Sequence, residues 1–505
     1  MKILILSTIL LSLISCSSIP VSKDRYPASL NQEKDIAIGL RGIPEIDPTL
    51  IDVWTSGLII GAEKNKLNSE SVKRIQEGYY YAQSIDEFYN KILILDLHHR
   101  YPSFDFYRDL AEQLIAVRRE LRPRGMEQEH FLRQALILLD LLADEVLYVG
   151  HLLFPNTKQL SYRYPNNTMP CQGRFSLLGD IQVCQGDVIL SRDESLSNNF
   201  ISRLPNYPGN YSLASLTYVQ SENKNIQIIE SKISKGISRK EMQQKNRFTD
   251  LSKSTILRSR SSITTAQAIA GLDQFLKRIE TAPEITYDYI QDGADESSFS
   301  SAELVQYSYL LGGANQTNPY PAELWNSITQ KNKTFFTSQF LPVNHIFPTP
   351  SDIELNPRYQ AISTSYNLVQ LPSERMKMMM TDSLIEMANE SDSLLQKLAR
   401  KLSSINGLQT SQDRQELLLK IDMALETELT KENIYVGKEQ LFAQVVFFML
   451  LDQYIGPKVL AYTRRFANEQ EAQNQFTSLK KLKSFSRLAI DGVMEELIQE
   501  LDSVL

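Results

Sequence analysis

Hydrophobic residues recur at three- and four-residue spacing in "NSESVKRIQEGYYYAQSIDEFYNKILILDLHH" (68–99) and "EQEHFLRQALILLDLLADEVLYVGHLLF" (127–154). That is the period of a helix with one buried face, and it predicts a helical unit over 33–160. The run "PNTKQLSYRYPNNTMP" (155–170) is rich in Pro, Asn and Tyr and reads as a boundary. After it the pattern shortens. "GDVILS" (186–191), "SLASLTYVQ" (212–220), "NIQIIES" (225–231) and "KSTILRS" (253–259) are short apolar or alternating runs bounded by Gly, Asn and Ser, which predicts strands. Two helices interleave with them. One follows Thr264-Thr265 and carries Ile269, Leu272, Leu276 and Ile279 on one face; the other begins near Ser300. From Ser373 to Leu505 the helical period returns. There "LFAQVVFFMLL" (441–451) is too short to cross a bilayer and predicts a buried core helix. The pattern therefore predicts an α+β unit of about 200 residues (161–368) between an N-terminal helical unit (33–160) and a C-terminal one (369–505).

The first residues follow another rule. "MKILILSTILLSLISC" has one positive charge, Lys2, then an apolar run from Ile3 to Ile14 and small residues, the layout of a signal peptide. Leu13-Ile14-Ser15-Cys16 resembles the bacterial lipobox, which implies cleavage after residue 15 and a lipid on Cys16. Ser17 and Ser18, with no Asp, resemble sorting to the outer membrane of a cell envelope, leaving residues 16–32 as a polar tether on its periplasmic face.

Composition narrows the picture further. A chain of 505 residues exceeds what one core normally serves, and 42% hydrophobic with 9% aromatic residues fits a globular protein. A net charge of −7 argues against a nucleic-acid partner, because phosphate contacts need clustered cations. With Cys16 assigned to lipid, Cys171 and Cys184 remain, thirteen apart around a Gly179-Asp180 turn. In an oxidising compartment they are expected to form a disulfide. His98-His99 has no Cys or HExxH-type pattern beside it, so no metal or other cofactor is expected.

Five segments in order resemble the circularly permuted branch of the NlpC-type, papain-fold cysteine hydrolases. They are "QGDVILSRDESLSNNFISRL" (185–204), "PGNYSLASLTYV" (208–219), "IIESKISKGI" (228–237), the pair "ITYDYIQD" (285–292) and "SSAELVQYSY" (300–309), and "FPTPSDIELNPRYQAI" (347–362). The resemblance implies a papain-like central domain with an antiparallel sheet. In that family a cysteine at a helix N-terminus becomes a thiolate, an imidazole moves its proton, and a polar group orients the imidazole.

Carried over position by position, the nucleophile falls on Ser301 and the base on Leu213; a polar residue near them survives as Glu230. The resemblance implies a pocket lined by Asp187, Ser191, Arg192, Tyr287 and Glu303. The histidines are His98, His99, His130, His151 and His345, so residues 152–344 contain no imidazole. Two readings of Ser301 follow. In one it caps a helix in a disabled site, and the protein is a lipid-anchored binding or scaffolding module with a cell-wall peptide, lipid or protein partner. In the other it is an altered nucleophile, with His345 or Glu230 as base, in an amidase or esterase acting on cell-wall peptide or lipid. For Arg192 the chain offers a ligand carboxylate or phosphate, or an Asp or Glu of its own. Glu303 is expected to bond backbone amides in the first helical turn.

Overall fold

A computed structural model describes residues 103–121, 140, 143–144, 146–164, 171, 173–178, 181–192, 195–203, 211–233, 236–242, 251–260, 262–281, 287, 299–312, 349–356, 358–408, 410–426, 442–472 and 479–505. The expected signal peptide, Cys16, the expected tether, the helix expected over 68–99, His98, His99, His130 and His345 lie outside the described residues.

The elements are α1 (Phe104–Leu121), β1 (Gln159–Arg163), β2 (Phe175–Leu178), β3 (Ile181–Cys184), β4 (Val188–Ser191), α2 (Leu196–Arg203), β5 (Leu213–Val219), β6 (Ile226–Lys232), β7 (Gly236–Met242) and β8 (Lys253–Ser259). They continue with α3 (Ser262–Thr281), α4 (Ser301–Leu311), α5 (Pro350–Leu355), β9 (Tyr359–Asn367), α6 (Leu371–Asn389), α7 (Leu394–Ser403), α8 (Ser411–Leu425), α9 (Phe442–Leu450), α10 (Gly456–Ala472) and α11 (Leu479–Asp502). Residues 146–153, before β1, are also helical.

Seven strands form one antiparallel sheet in the order β1-β9-β8-β4-β5-β6-β7, and β2 pairs with β3 as a separate hairpin. The fold is α+β with a helical C-terminal segment. Within the stretch 155–170, whose composition reads as turn, residues 159–163 form β1, which pairs with β9 from Gln159↔Asn367 to Arg163↔Ser363. Tyr162 is the reason: it buries its ring edge-on to Tyr366, and that packing outweighs the local turn composition.

Burial explains why the central strands are apolar throughout. β4 is buried at every position and β5 at all but Tyr218, because both sheet faces are covered. On one face Val188, Leu190, Ala214, Leu216 and Ile229 pack with Leu272 and Phe275 of α3, Leu304 and Val305 of α4, and the helical residues 146–149. On the other, Ile189, Ile226, Ile228 and Ile256 pack under Leu178 and Val183 of the β2–β3 hairpin. Cys171 and Cys184 are joined by a disulfide at the end of that hairpin, with Cα atoms 5.6 Å apart. The edge strand β7 shows Arg239, Lys240 and Glu241 on its rim, charges that discourage pairing with another chain.

Two close approaches set the helix layer. A methyl group on Gly271 would fall 1.6 Å from the Ser308 carbonyl, and one on Gly312 would fall 1.7 Å from the Gln267 carbonyl. α3 and α4 therefore cross backbone to backbone.

The C-terminal helices have their own core. α9 is buried at every position, and its Phe447 meets Phe200 of α2 edge-on with ring centroids 6.2 Å apart. The helical run Phe442–Asn468 is long and apolar enough to cross a membrane by length and composition, but 61% of its apolar window is inside the protein. A π turn, Leu451–Ile455, interrupts it. That turn points Asp452 at the first residues of α2, where its carboxylate accepts from the Ser197 amide at 2.8 Å and the Ser197 hydroxyl at 2.5 Å. An anion there satisfies amides that a helix start leaves open.

Candidate functional site

The start of α4 is built by its sequence. Ser300 is the N-cap: its hydroxyl accepts from the Glu303 amide at 3.3 Å, and the Glu303 carboxylate accepts from the Ser300 amide at 2.7 Å. This is a reciprocal capping box, so Glu303 bonds the backbone within the first turn. The cap expected at Ser301 is thereby corrected to Ser300, because Glu303 stands three residues after Ser300 and closes the box there. Ser301 is the first helical residue and is buried. Just upstream, the Ser231 hydroxyl at the end of β6 donates to the Phe299 carbonyl at 2.5 Å, pinning the helix entry to the sheet.

Strand register places the other positions. Leu213 lies opposite Ser191, Ser215 opposite Glu230, and Glu230 opposite Ser238. Side chains alternate along a strand, so Leu213, Ser191, Ser215 and Glu230 share one face of the sheet. α4 packs on the other face, with Ala214, Leu216 and Ile229. Ser301 thus belongs to a helix on the face opposite both Leu213 and Glu230. Leu213 is 1% exposed, and the Glu230 carboxylate faces Lys232 Nζ at 3.3 Å. His151, the histidine within the described residues, bonds the Thr157 carbonyl at 3.0 Å, and burial lowers its pKa.

The remaining candidates are tied into the framework. Asp187 accepts from Arg258 Nε at 2.9 Å, from Arg258 Nη2 at 2.8 Å and from the Cys184 amide at 2.8 Å. It holds the turn in which Gly186 adopts φ 82°, a left-handed conformation suited to glycine. Ser191 is buried in the middle of the sheet, between β5 and β8. Tyr287 belongs to the core that α2 shares with the C-terminal helices. Arg192 is 2% exposed and pairs with Asp140 at 3.2 Å and Asp144 at 2.5 Å, so of its two readings the partner within the chain is the one realised.

That last contact opens onto a constellation the sequence reading did not assemble. Asp140 is met by three cations: Arg192, Lys253 of β8 and Arg118 of α1. Lys253 also reaches Asp144 at 3.3 Å, and Arg118 pairs with Glu354 of α5. Burial alone would raise the Asp140 pKa, but Lys253, Arg118 and Arg192 outweigh it and hold the carboxyl well below the usual range. Burial lowers the Lys253 pKa, only partly opposed by Asp140 and Asp144. Beside these charges is a small cavity whose lining includes Tyr164, Tyr211, Thr255, Thr364 and Tyr366. The Tyr164 and Tyr211 hydroxyls are already bonded to Thr364 and Thr255 at 2.8 and 2.7 Å. Neither Ser301, Leu213, Glu230 nor Arg192 lines it. The signal in the sequence was a pair of acids four apart, Asp140 and Asp144, inside an apolar helical run.

Compared with known protein families, curated proteins and solved structures, the chain matches none.

Proposed function

We propose that the central sheet domain is a papain-like module that has lost its chemistry, and that the protein serves as a scaffold held by lipid on Cys16 at the periplasmic face of an outer membrane. The papain-like part of this reading rests on the five sequence segments; the observation that carries the loss of chemistry is the separation of Ser301 from both Leu213 and Glu230 by the sheet itself. A serine hydroxyl needs an adjacent base to become a nucleophile. The first turn of a helix favours an anion by only about 0.3–1 kcal/mol, far less than ionising a hydroxyl requires. Arg192 and Asp187, which would have met a substrate, are spent on ion pairs inside the fold. What the domain offers instead is a rigid body between two helical segments, with partner recognition on its outer surfaces.

The test is turnover by the purified full chain against a panel of peptide, amide and ester substrates from cell wall and lipid. The expected result is no hydrolysis above the uncatalysed rate, and none lost in Ser301→Ala. Hydrolysis that disappears in Ser301→Ala would overturn the proposal.

A further inference from the structure

The small cavity beside the buried charges has a lining that does not complete its own hydrogen bonds. Four hydroxyls form a row along it: Tyr164 with Thr364 at 2.8 Å, Thr364 with Thr255 at 2.8 Å, and Thr255 with Tyr211 at 2.7 Å. Each hydroxyl carries one hydrogen. Three bonds use three of the four hydrogens, so one end of the row donates elsewhere. Tyr211 is the end that feels the negative charges of Glu354 and Asp140, each more strongly than the opposing charge of Arg118. Both carboxylates also line the cavity. Negative charge draws an O–H dipole toward itself, which puts the spare hydrogen on Tyr211. Burial, and then those two charges, raise the Tyr211 pKa, so the hydroxyl keeps that hydrogen. Among the described residues, however, it bonds Thr255 only. Tyr366 lines the same cavity and is 2% exposed, and its hydroxyl has no hydrogen-bond partner among the described residues.

Size and charge decide what completes these bonds. The cavity volume is about 20 Å³, room for one water molecule and too little for an organic ligand. The charges around it balance: Arg118, Arg192 and Lys253 face Asp140, Asp144 and Glu354. Further along, Glu374 lies beside Arg192 and Lys377. An added ion of either sign would unbalance this buried set, whereas a neutral molecule leaves it intact.

We infer that the cavity is a binding site for one water molecule, which accepts a hydrogen bond from the Tyr211 hydroxyl and donates to the carboxylates of Glu354 and Asp140. A water bridging polar groups that do not reach each other is enthalpically nearly as good as a direct bond. It makes one network of two: the hydroxyl row on β8 and β9, and the charge cluster that holds α1, α5 and the Asp140 helix to the sheet. The inference rests on this cavity and not on the papain-like reading of the sheet.

The experiment is a crystal structure of the purified full chain at a resolution that shows ordered water, paired with magnetic relaxation dispersion of the solvent, which counts long-lived internal waters. The expected result is a single density peak at about 2.5–3.0 Å from Tyr211 Oη and from a carboxylate oxygen of Glu354 or Asp140. Tyr211→Phe keeps the ring and removes the donor, and is expected to lower the occupancy of that peak about twofold or more. Ala361→Val, on the cavity wall, is expected to fill the space and remove both the peak and one long-lived water, with unchanged circular dichroism. The wild-type map and Tyr211→Phe decide the question even where Ala361→Val does not fold. No peak in the wild type, a peak out of reach of Tyr211, or full occupancy in Tyr211→Phe overturns the inference. So does a peak with several oxygen contacts of about 2.3–2.6 Å, which would mark a metal ion.

Discussion

Two adjacent serines at the start of α4 have different partners, and stability measurements separate them. Ser300 caps the helix through Glu303, so Ser300→Ala is expected to cost about 1 kcal/mol. Ser301 is not the cap, and Ser301→Ala is expected to cost clearly less; urea midpoints of the two variants check the order. Asp140 offers a larger effect. Replacing it by Asn leaves Lys253, Arg192 and Arg118 buried without their shared counter-ion, an expected loss of about 3–5 kcal/mol at neutral pH. The sign of its pH dependence follows from a carboxyl whose folded pKa is depressed. Its stabilisation is complete above the unfolded value, roughly pH 4, and is lost as pH falls toward the folded value. The gap in urea midpoint between wild type and Asp140→Asn is therefore expected to narrow between pH 7 and pH 3.

Among the elements, the α3–α4 crossing is the most sensitive contact. The Ser308 carbonyl stands where a side chain on residue 271 would begin, and backbone cannot rotate aside as a side chain can. Gly271→Ala is expected to push the helices apart and cost about 1–3 kcal/mol or more, despite the better helix propensity of alanine. Thermal unfolding followed by circular dichroism reads this directly. An unchanged or higher midpoint would show that the two helices have room between them. α4 would shift first, and with it the Phe299–Ser231 bond that fixes its start.

Across the whole molecule, the sheet domain and the C-terminal helices are joined at α2. Phe200 enters the C-terminal core, and Asp452 reaches back from the π turn to the start of α2. Asp452→Ala is expected to destabilise by about 1–3 kcal/mol, because the Ser197 amide and hydroxyl lose a charged acceptor. The readout is hydrogen exchange: protection should fall in α2 and in residues 451–455 together. A change confined to the C-terminal helices would show that this bridge does not couple the two parts.

Local pattern by itself determined a good deal. The strand expected at "KSTILRS" is β8 residue for residue, and those at 186–191, 212–220 and 225–231 are β4, β5 and β6 with their ends trimmed or shifted by a residue or two. The helix with Leu272 and Leu276 inward is α3, and "LFAQVVFFMLL" is a core helix. These readings succeed because periodicity is written in neighbouring residues. β1 escaped, since its turn-like composition is overruled by a partner strand about 200 residues later. The site positions could be named from the chain, but not their sides: whether Leu213 and Glu230 face α4 depends on register and on which face the helix covers. The Asp140–Lys253 contact joins residues 113 apart, and no spacing rule anticipates it. Periodicity chose the elements; only the tertiary structure decided which charges meet in the interior and which faces remain open, because those depend on the distant chain that covers them.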